Sequence, residues 1–342
     1  MSLEVSFKET SHFESPLFID VRSPGEFAEY TIPGAINMPI LNNKEREQVG
    51  KTYVQTNHDQ AKLLGVKFAS QRLPRLVEKY MSLAKHHQVI LFCSRGGYRS
   101  SILFELLNAL HVHVFKLEGG YKAFRKLVNQ ELPNLVQGLT WINLNGMTGV
   151  GKTEILSSLK AQGSQIVDLE GLANHRGSNL GQVGLGAQPS QKQFEADLYQ
   201  VLLGLDPRRP VYIEAESHRV GERQVPHELF LAYQNSDQQV LVTSPLSVRV
   251  ARVENIYAPQ HSQRELEELK AGLARLAHLL KPATYAHFLA ELEAGNYGKL
   301  IEELITHYYD PHYKLKAGPY ALTIDNTDAK ESAETLQAYF EN

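Results

Sequence analysis

The sequence predicts two successive α/β domains, each a parallel sheet in which a strand ends in a glycine-rich loop that opens into a helix. Three observations carry this reading. Residues 89–92 form a continuous apolar run ending at Cys93, followed by Ser94-Arg95-Gly96-Gly97-Tyr98-Arg99-Ser100 and a helical pattern. Residues 139–144 form a second apolar run, followed by Gly146-Met147-Thr148-Gly149-Val150-Gly151-Lys152-Thr153 and another helical pattern. Around both, strand and helix patterns alternate, as they do where helices cover a parallel sheet. A chain of 342 residues is long enough for two such cores.

The elements follow in order. Residues 17–21 are rich in strand formers and stop at Ser23-Pro24. Residues 26–30 suit a helical turn, and 32–39 read as turn, short strand, turn. Residues 42–80 are helical in character, with Leu63, Leu64, Val66 and Phe68 apolar in the middle. The run 89–92 has the continuous apolarity of a strand buried on both faces. Ile102, Leu103, Leu106, Leu107 and Leu110 recur at helical spacing; 112–117 is a further strand closed by Gly119-Gly120, and 121–129 a further helix. The first domain is thus 1–132, a linker containing Pro133 spans 133–139, and the second domain is 140–342.

In the second domain a helix runs to about 161, and 165–169, 210–214, 240–243 and 320–324 are strand candidates. A helical segment covers about 250–310; Leu266, Leu269, Leu273, Leu276 and Leu280 form its apolar stripe. A last helix follows Asp328.

Composition is ordinary: 42% hydrophobic, 21% charged, formal net charge −3, which points to no polyanion partner without excluding a local basic face. A single cysteine forms no internal disulfide, and the start has no signal-peptide pattern, so a cytoplasmic protein is expected. No apolar run approaches the ~20 residues that span a bilayer, so no membrane partner is expected.

The 146–153 loop fits G-x-x-x-x-G-K-[ST] between a strand and a helix. Gly146, Gly149 and Gly151 let the backbone turn around an anion, with Thr148 in the turn. The helix start adds its dipole, Lys152 a positive charge, and Thr153 a hydroxyl suited to Mg2+. The motif says diphosphate without saying which one. Asp168, Glu214 and Glu216 follow later strands and are candidates for holding metal or water; whether a metal is held is left open. His175 and Arg176 lie in a polar, basic loop and are candidate phosphate contacts.

Around Cys93, the guanidinium groups of Arg95 and Arg99 and the amides at the helix start favour the thiolate, which is the nucleophilic form. The same donors suit a tetrahedral oxyanion. Cys-x5-Arg is also the loop spacing of cysteine phosphatases, so a cysteine phosphatase or sulfurtransferase fused to a nucleotide kinase-like domain is the alternative. His111 and His113 share a strand face and are weak metal candidates.

Asp20-Val21-Arg22-Ser23-Pro24-Gly25-Glu26-Phe27, Ile32-Pro33-Gly34-Ala35-Ile36-Asn37, the Cys93 loop and Leu117-Glu118-Gly119-Gly120-Tyr121 resemble a rhodanese domain. Its fusion to a P-loop NTPase-like domain bearing Asp168-Leu169-Glu170-Gly171-Leu172-Ala173-Asn174-His175-Arg176-Gly177-Ser178 is similar to the bacterial tRNA 2-selenouridine synthases. Glu216-Ser217-His218-Arg219-Val220-Gly221 and Tyr308-Tyr309-Asp310-Pro311-His312-Tyr313 also look like that family's segments. Leu180 stands where an aromatic is expected, and His218 where arginine is.

The resemblance implies a tRNA-modifying transferase that acts on the wobble 2-thiouridine of an anticodon arm. It implies geranylation of sulfur by geranyl diphosphate, then replacement of S-geranyl by selenium from selenophosphate, with Cys93 required for the selenium step. It implies no tightly bound cofactor, with Mg2+ compatible. Substrate or tRNA contacts are expected at Asp168, His175, Arg176, Glu216, Ser217 and Arg219. Arg249, Arg252, Arg264, Lys270, Arg275 and the 308–313 segment are further tRNA candidates.

Overall fold

The structure is a computed structural model describing residues 3–258, 263–313, 315 and 318–341. Backbone contacts divide it into two compact units, Met1–Glu131 with Glu195–Asp197, and Leu132–Phe194 with Leu198–Asn342.

The first unit contains β1 (Glu4–Val5), β2 (Pro16–Asp20), α1 (Pro24–Glu29), β3 (Ile36–Asn37), α2 (Asn43–Gln55), α3 (His58–Ser70), α4 (Leu73–Leu83), β4 (Gln88–Phe92), α5 (Tyr98–Ala109) and β5 (Phe115–Leu117). Its sheet has the order β1-β5-β4-β2-β3, with every pair parallel. The apolar run becomes the central strand: Val89, Ile90, Leu91 and Phe92 are fully buried. Truncating any of them to alanine would cost ~2–5 kcal/mol. α1 starts on a Ser23–Glu26 capping box with Pro24 at its first position, the reason Ser-Pro ends β2 and begins a helix at once.

Residues 42–80 divide into three helices. Leu63 and Val66 do not enter the core but are 71% and 53% exposed. Ala61, Leu64 and Phe68 form the inward stripe at helical spacing, and 63 and 66 fall on the opposite side. His111 and His113 lie before β5 rather than on it, and His111 has a left-handed backbone (φ 58°). They share no strand face.

α6 (Gly120–Val136) is longer than the sequence reading of 121–129. Tyr121, Phe124, Val128, Leu132 and Val136 are all buried, an unbroken helical stripe that continues past Pro133. The predicted linker is therefore helical through Val136, and Gly138 follows in the left-handed region (φ 84°).

The second unit contains β6 (Trp141–Asn145), α7 (Lys152–Ala161), β7 (Gln165–Val167), α8 (Leu169–Ala173), α9 (Gln191–Leu203), β8 (Val211–Glu214), the hairpin β9 (Arg219–Val220) and β10 (Arg223–Gln224), α10 (His227–Gln234) and β11 (Gln239–Thr243). Then come α11 (Leu246–Tyr257), α12 (Gln263–Leu276), α13 (Pro282–Glu293), α14 (Tyr297–Leu304), a π-helical turn at Ile305–Tyr309, α15 (Asp310–His312), β12 (Leu322–Asp325) and α16 (Ala329–Phe340). The order β12-β11-β6-β8-β7 is parallel throughout, so the 146–153 loop leaves the C-terminal end of the central strand. That is where open α/β sheets bind ligands. The leucine stripe packs as expected: Leu269, Leu273 and Leu276 of α12 join Leu180, Phe288, Leu292 and Leu304 in a separate helical core. Among the described residues no helix is long and apolar enough to cross a membrane.

Candidate functional site

In the first unit, the central strand β4 delivers Cys93 to the C-terminal end of the sheet, and the chain turns through 94–97 into α5. Gly119 and Gly120, both left-handed, lie directly against this turn. A Cβ on Gly120 would stand 2.3 Å from the Cys93 carbonyl oxygen and 2.6 Å from the Gly96 nitrogen. The Tyr121 and Lys122 amides donate to the Cys93 and Ser94 carbonyls at 2.9 and 3.0 Å. The glycine pair after β5 thus clamps the cysteine loop.

The Cys93 side chain is buried. Burial works to raise its pKa. The Ser100 hydroxyl, donating to Sγ at 3.2 Å, outweighs this together with the Arg95 and Ser100 amides and the Arg99 charge, so the thiol is held below its usual value. The two arginines have different duties. Arg99 is engaged by Glu26 (Nη1 to Oε2, 2.5 Å) and by Ser94 Oγ (3.0 Å). Glu26 is in turn pulled down to about 2: burial opposes ionisation, but the Arg99 hydrogen bond and charge prevail. Arg95 is exposed. Behind the loop, Asp20 and Arg22 form a fully buried pair (2.6 Å), with Arg22 also donating to the Tyr30 carbonyl.

In the second unit, Gly149 (φ 81°) and Gly151 (φ 85°) take the left-handed conformations that the phosphate loop needs. Lys152 Nζ donates to the Gly146 carbonyl at 3.0 Å and lies 3.4 Å from the Tyr313 hydroxyl. Burial alone would favour its neutral form; Tyr313, Glu216, Glu170 and Glu214 reverse this and keep it protonated. Facing it, Glu170, Glu214 and Glu216 bring carboxylate oxygens within 4.8 Å of one another. Burial and neighbouring carboxylates push Glu170 up to about 8 and raise Glu214, and burial raises Glu216 against the Lys152 charge. Thr153 Oγ1 donates to Glu170 at 3.2 Å, and Glu214 Oε2 is buried without a hydrogen-bond partner among the described residues. This is an all-oxygen donor set of the kind that hard divalent cations take, so the residues fit Mg2+.

Glu170 is the residue that sequence reasoning missed. It sits two positions after Asp168, in the first turn of a five-residue helix with no periodicity to single it out. Asp168 does not join the carboxylates but accepts from the Gly171 amide at 2.7 Å as the cap of α8. His175 is buried, its Nδ1 unpartnered among the described residues; burial, then the Arg275 and Arg176 charges, hold its pKa below the usual imidazole value. Arg176 is occupied, donating to the Val183 carbonyl at 2.6 Å with its guanidinium over the Tyr257 ring. Ser217 closes a local turn on Arg219, and Arg219 is exposed on β9.

Two of the tRNA candidates are braces for the phosphate loop. Arg249 is buried, donates to the Thr148 carbonyl (2.8 Å) and pairs with Asp310 (2.6 Å). Arg252 donates to the Val150 and Asn326 carbonyls and pairs with Glu154. Arg264 and Lys270 pair with Glu268 and Glu293, and Arg275 reaches the Asn179 carbonyl. In the 308–313 segment Tyr308 is buried.

Comparison with known proteins agrees with both halves. Residues 5–127 match the rhodanese-like domain, and 139–341 match the tRNA 2-selenouridine synthase AAA domain. A tRNA 2-selenouridine synthase of Hydrogenovibrio crunogenus is 34% identical over 335 residues, covering 90% of this chain and 91% of that protein. Those of Nitrosomonas eutropha and Shewanella woodyi are 30% and 31% identical, covering 88% and 87% of this chain and the same shares of their own. The chain belongs to the tRNA 2-selenouridine synthase family.

Proposed function

We propose that this protein converts wobble 2-thiouridine in tRNA to 2-selenouridine through an S-geranyl intermediate. In the first step the uridine sulfur bonds to C1 of geranyl diphosphate, the C1–O bond breaks, inorganic diphosphate leaves, and N3 gives its proton to solvent. In the second step selenium of selenophosphate bonds to C2, the C2–S bond breaks, and geranyl thiolate leaves; water then cleaves Se–P, releasing phosphate.

The observation that carries the reading is the phosphate loop with Lys152 held protonated at its centre. A fixed cation beside a departing diphosphate stabilises the charge that develops as C1–O breaks. The reading for Cys93 draws support from its lowered thiol pKa and the exposed Arg95 beside it, which suit an anionic selenium donor.

The test is mass spectrometry of nucleosides after incubation with 2-thiouridine tRNA, geranyl diphosphate and selenophosphate. Lys152→Ala is expected to abolish S-geranylation; Cys93→Ala is expected to accumulate S-geranyl-2-thiouridine without 2-selenouridine. Normal geranylation by Lys152→Ala, or normal 2-selenouridine from Cys93→Ala, sinks the corresponding step. A phosphatase would leave the nucleosides unchanged.

A further inference from the structure

We propose that the apolar cleft beside the phosphate loop takes the hydrocarbon chain of the diphosphate, and that α11, α14 and the π-helical turn after it select the chain length. This rests on the reading that the loop binds an alkyl diphosphate.

The cleft is open at its mouth and its wall is almost wholly apolar, the lining expected where a hydrocarbon group is held. Thr148, from the phosphate loop itself, is part of its wall, as is Ser178 from the segment after α8. The rest is largely hydrocarbon, with Val253 on α11, Ile301 and Leu304 on α14, and Ile305 on the π turn. The loop and the cleft share one brace. Arg249 donates to the Thr148 carbonyl and pairs with Asp310, the residue after Tyr309, which also lines the cleft. An anion seated on the loop therefore has an apolar slot beside its cradle.

The π turn gives a local reason for the slot. Inserting an extra residue per turn disrupts regular packing, and such turns occur often at functional sites. Here it carries Ile305 and Tyr309 to the cleft wall. The lining also argues against a nucleotide base, whose ring nitrogens and amino group would lose water without gaining partners. An alkyl chain has no such groups, and burying it is favourable.

The test is calorimetric titration of the full chain with inorganic diphosphate and with the 5-, 10- and 15-carbon prenyl diphosphates. The 10-carbon ligand is expected to bind about 100-fold tighter than inorganic diphosphate, about 2.8 kcal/mol at ~1.4 per decade. Ile301→Trp, which fills the cleft, is expected to cut that ratio below about tenfold. Ile301→Ala, which widens it, is expected to shift the optimum towards 15 carbons, a gain that misfolding does not produce. Equal affinity for inorganic and geranyl diphosphate, a ratio kept by Ile301→Trp, or an unmoved optimum in Ile301→Ala overturns the cleft assignment and leaves the diphosphate reading standing. No binding of any diphosphate overturns that reading and the assignment with it.

Discussion

The loop after β4 and the loop after β6 have the same place in their sheets, yet their charges are arranged in opposite senses. In the first, the acid is satisfied: Glu26 sits against Arg99 and is pulled down to about 2. In the second, three glutamates crowd one lysine, and Glu170 is pushed up to about 8. The first loop is electrostatically complete and leaves Arg95 to meet an anion. The second has an excess of buried carboxylate, which an added cation would relieve. A glycine-rich turn at a strand end thus fixes where a ligand binds, and the surrounding ion pairs decide which charge is wanted there.

The largest effect is expected where the complete side of this contrast is broken. Asp20 and Arg22 are both wholly buried, and Arg22→Ala leaves a carboxylate in the core without its partner. Removing one member of such a pair costs about 3–5 kcal/mol. Urea unfolding followed through the first unit should show a loss of that size. A change under ~1 kcal/mol would mean the pair does not hold β2 and α1 in place, and the contrast between the two loops would lose its structural basis.

A second test uses pH, where the two loops should respond with opposite sign. Glu170 has a folded pKa raised from 4.5 to about 8, so between those values the folded state keeps a proton that the unfolded state has released. Its contribution to stability is full below about 4.5 and is lost as pH rises through about 8. Metal-free protein should therefore become less resistant to urea across that window, and Glu170→Gln should flatten the slope. Glu26 is the reverse case, lowered from 4.5 to about 2: its contribution is present above 4.5 and is lost as pH falls through about 2. A wild-type slope that Glu170→Gln leaves unchanged would show that Glu170 is not what titrates.

Both loops were legible in the sequence, because each couples an apolar strand, a glycine turn and a helical pattern within a few residues. The sheets followed from the same alternation. What surrounds the loops was not legible. Glu26 and Glu170 are distant in sequence from Arg99 and Lys152, and nothing in their local pattern marks them as partners. Arg249 and Arg252, candidates for tRNA contact in the sequence, turn inward, because the phosphate loop presents carbonyls that need donors. The end of α6 was hidden by Pro133, a residue that normally stops a helix, although Leu132 and Val136 continue the stripe. Leu63 and Val66 are apolar yet exposed, because they fall on the side of the helix opposite Ala61, Leu64 and Phe68.

The smallest expected effect concerns the thiol, and it separates the hydroxyl's share from the arginines'. Ser100 Oγ donates to Cys93 Sγ at 3.2 Å and is the largest influence holding the pKa down. Ser100→Ala removes that donor and leaves Arg99 on Glu26. The thiol pKa should rise, so less thiolate exists at any given pH below it. Since the thiolate is the reacting form, alkylation of Cys93 by iodoacetamide at pH 7 should slow about threefold to tenfold, the scale of roughly 1 kcal/mol on the anion. The rate-against-pH curve should move to higher pH with an unchanged plateau. If the curve stays where it is, the loop amides and Arg99 alone set the thiolate, and the cysteine loop would depend on backbone and guanidinium charge as the phosphate loop depends on its amides and Lys152.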